Sequence, residues 1–236
     1  MIFFRRRRRK TEESSHDAPA SVEQDPLEDS SEASSPSHGP WDLDQQPEIG
    51  TRVDVGGLRV PARKGMQMRM ELESKSRRIV AVNLVYQGSS TQLQPFAAPK
   101  SAGIWQDLRE EIAESIGKQG GSVQEREGCC GTELLARLPV RTKDGRSGLR
   151  PVRFIGVDGP RWFLRAVITG KAAVDDAAAE AIEDILKDIV VVRGEAPRPP
   201  RELLPLHLPG KPGEETAPTR PPGPLDNRGP EITEVG

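Results

Sequence analysis

The alternation of apolar and polar positions marks out most of the secondary structure. Met66, Met68, Met70 and Leu72 alternate with Gln67, Arg69, Glu71 and Glu73, and that period of two predicts a strand whose methionines face inward. Upstream, Val53, Val55, Leu58 and Val60 surround Gly56-Gly57, as in a strand or hairpin. Arg78 to Tyr86 is apolar at nearly every position, the pattern of a central strand covered on both faces.

Trp105, Leu108, Ile112 and Ile116 recur at helical spacing, with Glu110, Glu111 and Glu114 opposite and a stop at Gly120-Gly121. Thr132, Leu134, Ala136, Leu138 and Val140 alternate again, and Pro151 to Thr169 reads as two strands joined near the turn dipeptide Asp158-Gly159. Asp175 or Asp176 caps a second helix with the stripe Ala178, Ile182, Ile185, Leu186 and Ile189, after which Val190 to Val192 returns to strand. Strands, helix, strands, helix in that order predict an α+β two-layer sandwich, a mainly antiparallel sheet with two packed helices.

Charge and composition set the boundaries. Residues 1–10 carry a net charge of +6, and residues 11–50 hold eleven Asp and Glu, eight Ser and five Pro with no Lys or Arg. Such a stretch has too little apolar surface to offset the entropy of ordering it, so 1–50 is expected to be a disordered leader. Residues 51–195 hold 23 basic and 19 acidic groups and six of the nine aromatic residues, which locates the core. Eleven prolines in the last 41 residues favour extended chain there. Leu203, Leu204, Leu206 and Leu208 form a short apolar segment able to dock, which sets the expected domain at 51–209 and a disordered Pro-rich tail at 210–236.

The candidate chemistry is sparse. His16, His38 and His207 all fall in segments read as tails, which argues against a preorganised imidazole base, a Ser-His-Asp arrangement or a histidine metal site. There is no phosphate loop or dinucleotide fingerprint, and no cofactor or metal is expected. Two adjacent cysteines, Cys129 and Cys130, are too few for a disulfide-stapled scaffold, and with no signal segment or spanning run the reading is a reduced, cytoplasmic protein. Those thiols are read as buried or idle, with a strained vicinal disulfide switch as the alternative, and the methionine stripe as core packing.

Between Arg137 and Arg165 there are eight Lys and Arg against Asp144 and Asp158. Arg161, Phe163 and Arg165 share one face of their strand, and with Arg153 alongside they form a candidate surface for phosphates and a stacked base. The competing reading covers both faces, buries Phe163 and pairs the arginines with Glu110, Glu111 or Glu114. Asp158 and Gly159 read as a turn, with a carboxylate acid or base at Asp158 as the alternative. Arg5, Arg6, Arg7, Arg8 and Arg9 beside Phe3 and Phe4 offer a weak contact to an anionic membrane or nucleic acid, or to the acidic leader itself.

Ile104 to Ile116, Gly131-Thr132-Glu133-Leu134, the block Arg153-Phe154-Ile155-Gly156-Val157-Asp158-Gly159-Pro160-Arg161-Trp162-Phe163-Leu164-Arg165, and Val190 to Gly194 together resemble an actinobacterial family, domain-of-unknown-function family 3710, over about residues 50–209. The resemblance implies no activity, substrate or catalytic residue. The chain departs from the family pattern at Gly128-Cys129-Cys130-Gly131, so it implies no role for the thiols. A weaker likeness is to secretion-chaperone-like two-layer folds that bind partner proteins. The expected function is a non-enzymatic binding or adaptor module with a protein partner. The alternatives are a nucleic-acid-associated accessory protein acting on single strands through Arg153, Arg161, Phe163 and Arg165, and an enzyme with a carboxylate site near Asp158. Oligomeric state and hairpin register are left open.

Overall fold

The structure is a computed structural model and describes residues 39–210 apart from 75, 101–102 and 142–146. Seven strands form one antiparallel sheet. In spatial order they are β4 (Gln67–Leu72), β5 (Ile79–Tyr86), β6 (Ser89–Ala97), β10 (Trp162–Gly170), β9 (Ser147–Gly159), β8 (Gly131–Arg141) and β7 (Ser122–Gly128). A smaller sheet has the order β1 (Trp41–Asp42), β11 (Val190–Val191), β3 (Leu58–Pro61), β2 (Arg52–Asp54), with β1 and β11 parallel. Helix α1 (Trp105–Lys118) links β6 to β7, and α2 (Asp176–Lys187) links β10 to β11. The chain is α+β with a mainly antiparallel sheet and two packed helices.

Parity along β10 separates the two faces. Trp162, Leu164, Ala166 and Ile168 join Leu84, Leu93, Ile155, the α2 residues Ala179, Ile182, Ile185 and Leu186, and the small-sheet residues Leu58, Val60 and Val191 in the main core. Phe163 faces the other way, into a second cluster with Trp105, Ile104 and Ala98, packed by Phe96, Phe154, Leu108 and Ile112. The two helices therefore cover opposite faces of the large sheet, and the small sheet shares the face of α2.

The helix signals act as the sequence predicts. Asp175 accepts a hydrogen bond from the Ala178 amide at 3.1 Å and caps α2. Helix α1 ends in a left-handed Gly120 (φ 79°), with the Gly121 amide returning to the Ile116 carbonyl at 2.9 Å. Met66, Met68 and Met70 pack against the main core.

Three expectations change. First, β5 lies next to the edge strand, and on the α1 side its Asn83 and Val85 are only half-buried, so it is not covered on both faces. Its apolar run reflects one buried face plus lateral packing between β4 and β6. Second, the chain joins the fold upstream of residue 51. Gly39 and Pro40 are buried, Trp41 and Asp42 pair with Val190 and Val191, and Asp42 accepts a 2.6 Å hydrogen bond from the Trp162 indole. Local composition hides this because the partners of Trp41 and Asp42 are distant in sequence. Third, His207 is not in a free tail: its amide donates to the Val55 carbonyl at 2.9 Å.

That last contact belongs to a strap. The Ala97 amide donates to the Glu202 carbonyl at 2.7 Å, the Leu204 amide to Pro95 at 2.9 Å, and the Gly57 amide to Pro205 at 2.7 Å. Leu204 is fully buried in the main core, so the leucine-proline segment docks on the domain. Arg5 to Arg9, His16 and His38, and the expected tail 210–236 apart from Gly210, lie outside the described residues.

Candidate functional site

The β9–β10 hairpin carries most of the expected site residues. Gly159 and Trp162 are its last pair, so Pro160 and Arg161 make the turn. Pro160 presets the first turn position, and Arg161 takes the left-handed conformation (φ 61°) that the second position of a type II turn needs. Asp158 and Gly159 are instead the closing residues of β9, a correction to the expected turn. Gly159 serves space and not positive φ, because a Cβ there would enter the Trp162 ring.

Asp158 pairs with Phe163 and so projects to the α1 side. Its carboxylate accepts the backbone amides of Ile104 at 2.8 Å and Trp105 at 3.1 Å. These are free donors at the N-terminus of α1, where negative charge also meets the helix dipole favourably. Ile104 makes no side-chain cap of its own, so Asp158 caps the helix from another element.

Arg153 is not beside the other three arginine-hairpin residues. It pairs with Ile168, a main-core position, and so projects to the α2 side, where it is 1% exposed. Its guanidinium donates to Glu133 at 2.8 Å, Glu183 at 2.7 Å and the Ala172 carbonyl at 3.2 Å. Burial works against its charge, but the hydrogen bonds and charges of Glu183 and Glu133 hold it above the ordinary arginine value. Glu133, also buried, takes Arg126 at 2.8 Å, and Arg126 reaches Asp176 at 3.0 Å. This network ties β7, β8 and β9 to α2.

Phe163 is fully buried, with Phe96 and Trp105 stacked at centroid distances of 6.2 and 5.9 Å, and offers no free ring to a base. Arg165, on the same side, lies 5.8 Å over the Phe96 ring and donates to Gln94. Burial lowers its pKa. The expected partners Glu110, Glu111 and Glu114 do not take these arginines: Glu111 pairs with Arg201 and Glu114 with Lys118. Arg161 is exposed at the turn, its carbonyl held by Ala98 and Arg193. Lys143, Asp144 and Arg146 of the basic run lie outside the described residues.

What these placements leave available is half a sheet face. Helix α1 packs over β7, β8 and β9. On the same face, the β4–β5–β6–β10 half presents Gln67, Arg69, Glu71, Asn83, Gln92, Gln94 and Arg165, all exposed or half-buried. Lateral hydrogen bonds hold them in place: Gln92 to Glu71 at 2.5 Å, Ser90 to Asn83 at 2.7 Å, and Gln94 to the Val80 carbonyl at 3.0 Å. The sequence carries this signal in the alternation of Ser90, Gln92 and Gln94 with Thr91, Leu93 and Pro95, which marks a strand with one polar face.

Clefts lie elsewhere among the described residues. One of about 530 Å³ is bordered by Arg126, Arg137, Asp175 and Asp176, and one of about 250 Å³ by Asp54, Arg193, Arg198 and His207. The third, of about 400 Å³, borders Cys129 and Cys130. Among the described residues no group of three or more His, Cys, Asp and Glu could hold a metal ion, and no helix is long and apolar enough to cross a membrane.

Residues 39–215 match the family described as Protein of unknown function (DUF3710). The chain belongs to this family. The DUF3710 match starts at Gly39, where the described fold begins, and takes in β1 and the strap. No curated protein matches the chain.

Proposed function

We propose that this protein is a non-enzymatic binding module that receives a protein partner on the open β4–β5–β6–β10 half of its large sheet. The observation that carries this reading is the half-coverage of the face: α1 closes one side, and a largely polar surface, interrupted by Val85 and Val167, continues beside it with its amides hydrogen-bonded to neighbours. Its side chains are already ordered by their neighbours, so a partner costs them little further conformational entropy. Arg69 and Arg165 stand against Glu71 on this surface. A near-balanced, amide-rich surface suits the polar groups of a protein better than the phosphates of a nucleic acid, which call for concentrated positive charge. The nucleic-acid reading has less support because Phe163 and Arg153 are buried, and the enzyme reading because Asp158 is engaged with two helix amides.

The test is quantitative co-purification of the full chain at native level, comparing wild type, Asn83→Arg with Gln92→Arg, and Glu180→Lys on the exposed side of α2. One protein should be retained stoichiometrically by wild type and Glu180→Lys and lost from the double variant, with unchanged circular dichroism. Equal retention by the double variant, or no stoichiometric partner, overturns the reading.

A further inference from the structure

Cys129 and Cys130 form the two-residue tip between β7 and β8, closed by the Gly128–Gly131 pair. Their Sγ atoms lie 3.1 Å apart, both side chains are half-buried, and both border the cleft of about 400 Å³ with Gly39, Pro40 and Val157. Inert structural thiols are buried in apolar surroundings, whereas reactive ones are reachable and sit beside groups that favour the thiolate. Here each sulfur has the other as its hydrogen-bonding neighbour and both line the cleft, with Cys130 also packed against the edge of the main core.

We propose that Cys129 and Cys130 are a reactive vicinal dithiol, a modification site at which a small organic disulfide is reduced while the two protein sulfurs join to each other. The Cys130 thiolate attacks one sulfur of a disulfide RSSR, forming the Cys130–SR bond and expelling RS⁻, which takes a proton from water. Cys129, losing its proton to water, then attacks the Cys130 sulfur and expels the second RS⁻, also protonated. The protein gives up two electrons and two protons, and RSSR becomes two RSH.

The assignment of roles follows the surroundings. With Cys129 as donor, the contact between the sulfurs favours a thiolate at Cys130 and draws its pKa down, helped by Lys187, while burial, Glu183 and Glu133 oppose it. The same contact pushes the Cys129 thiol up, which suits the second, resolving step. Adjacent Cα atoms are only about 3.8 Å apart, below the about 4.4 Å at which ordinary disulfides begin. The product is therefore strained and easily reduced, a reversible mark and not a staple. The site faces α2 and does not depend on the open sheet half.

The experiment treats the full chain with oxidised glutathione and follows intact mass. Wild type should lose two hydrogens, keep no adduct and revert with dithiothreitol. Cys129→Ser should stop at the glutathione adduct, and Cys130→Ser should react about tenfold more slowly. Phenylarsine oxide, which bridges two sulfurs, should block the wild-type reaction without any substitution. The proposal is overturned if the folded wild type is inert while the urea-unfolded chain reacts, if wild type keeps its adduct, if Cys130→Ser matches wild type, or if the arsenical gives no protection.

Discussion

Arg153 and Glu133 face each other at 2.8 Å with side chains 2% and 1% exposed, a fully desolvated ion pair between neighbouring strands. Each member has a second partner, Glu183 for Arg153 and Arg126 for Glu133, so removing one charge weakens the network without leaving the other wholly unpaired. Glu133→Gln should lower unfolding stability by about 2 kcal/mol in urea titration, because Arg153 keeps Glu183. Glu133→Leu combined with Arg153→Met should recover part of that loss, because neither of the two buried charges remains.

Asp158 holds the first amides of α1 from across the sheet. Asp158→Ala should cost about 1 kcal/mol, the usual value of a lost helix cap, and lower the melting temperature by a few degrees. If instead the substitution leaves stability untouched, the carboxylate is not acting as a cap.

Alanine is ordinarily tolerated better than glycine in a strand, but at Gly156 the sign should reverse. A Cβ there would sit inside the Trp105 indole, which packs on β9 and donates to the Thr132 carbonyl at 2.7 Å. Gly156→Ala should destabilise by about 2 kcal/mol through overpacking and shift the Trp105 fluorescence.

Arg161 adopts φ 61° at a turn position that favours glycine, and its charge lies near Arg193, whose pKa is lowered by burial and then by Arg161 and Arg198. Left-handed backbone costs a non-glycine residue about 1 kcal/mol. Glycine's extra unfolded-state freedom takes back part of that, so Arg161→Gly should raise stability by about 0.5 kcal/mol in thermal melts.

Much of the fold was legible because local periodicity encodes it. The α1 and α2 stripes, the Asp175 cap and the alternation on β4 each concern contacts that a single element's pattern reveals. The site was less legible. Alternation places Arg153 on one face and Phe163 on the other only once register is known, and register depends on which residues close the turn. Reading Asp158-Gly159 as the turn, when Pro160 and Arg161 make it, pairs Arg153 with Leu164 in place of Ile168, which shifts it along the strand but leaves it on the face opposite Phe163 and Arg165. The cap from Asp158 to α1, the pairing of Trp41 with Val190, and the absence of helix cover over Asn83 and Gln92 all depend on distant segments, which no window of sequence contains.

The strap from Glu202 to His207 has a temporal consequence. Leu204 completes the main core, and the strap's backbone supplies hydrogen-bonding partners to Ala97 and Gly57, forty residues apart in the chain's first half. During synthesis those groups stay bonded to water until residues 202–207 have emerged from the ribosome. Closure of this domain therefore waits on its own last-made segment, and a nascent chain that stops short of Leu204 presents an unfinished core to chaperones.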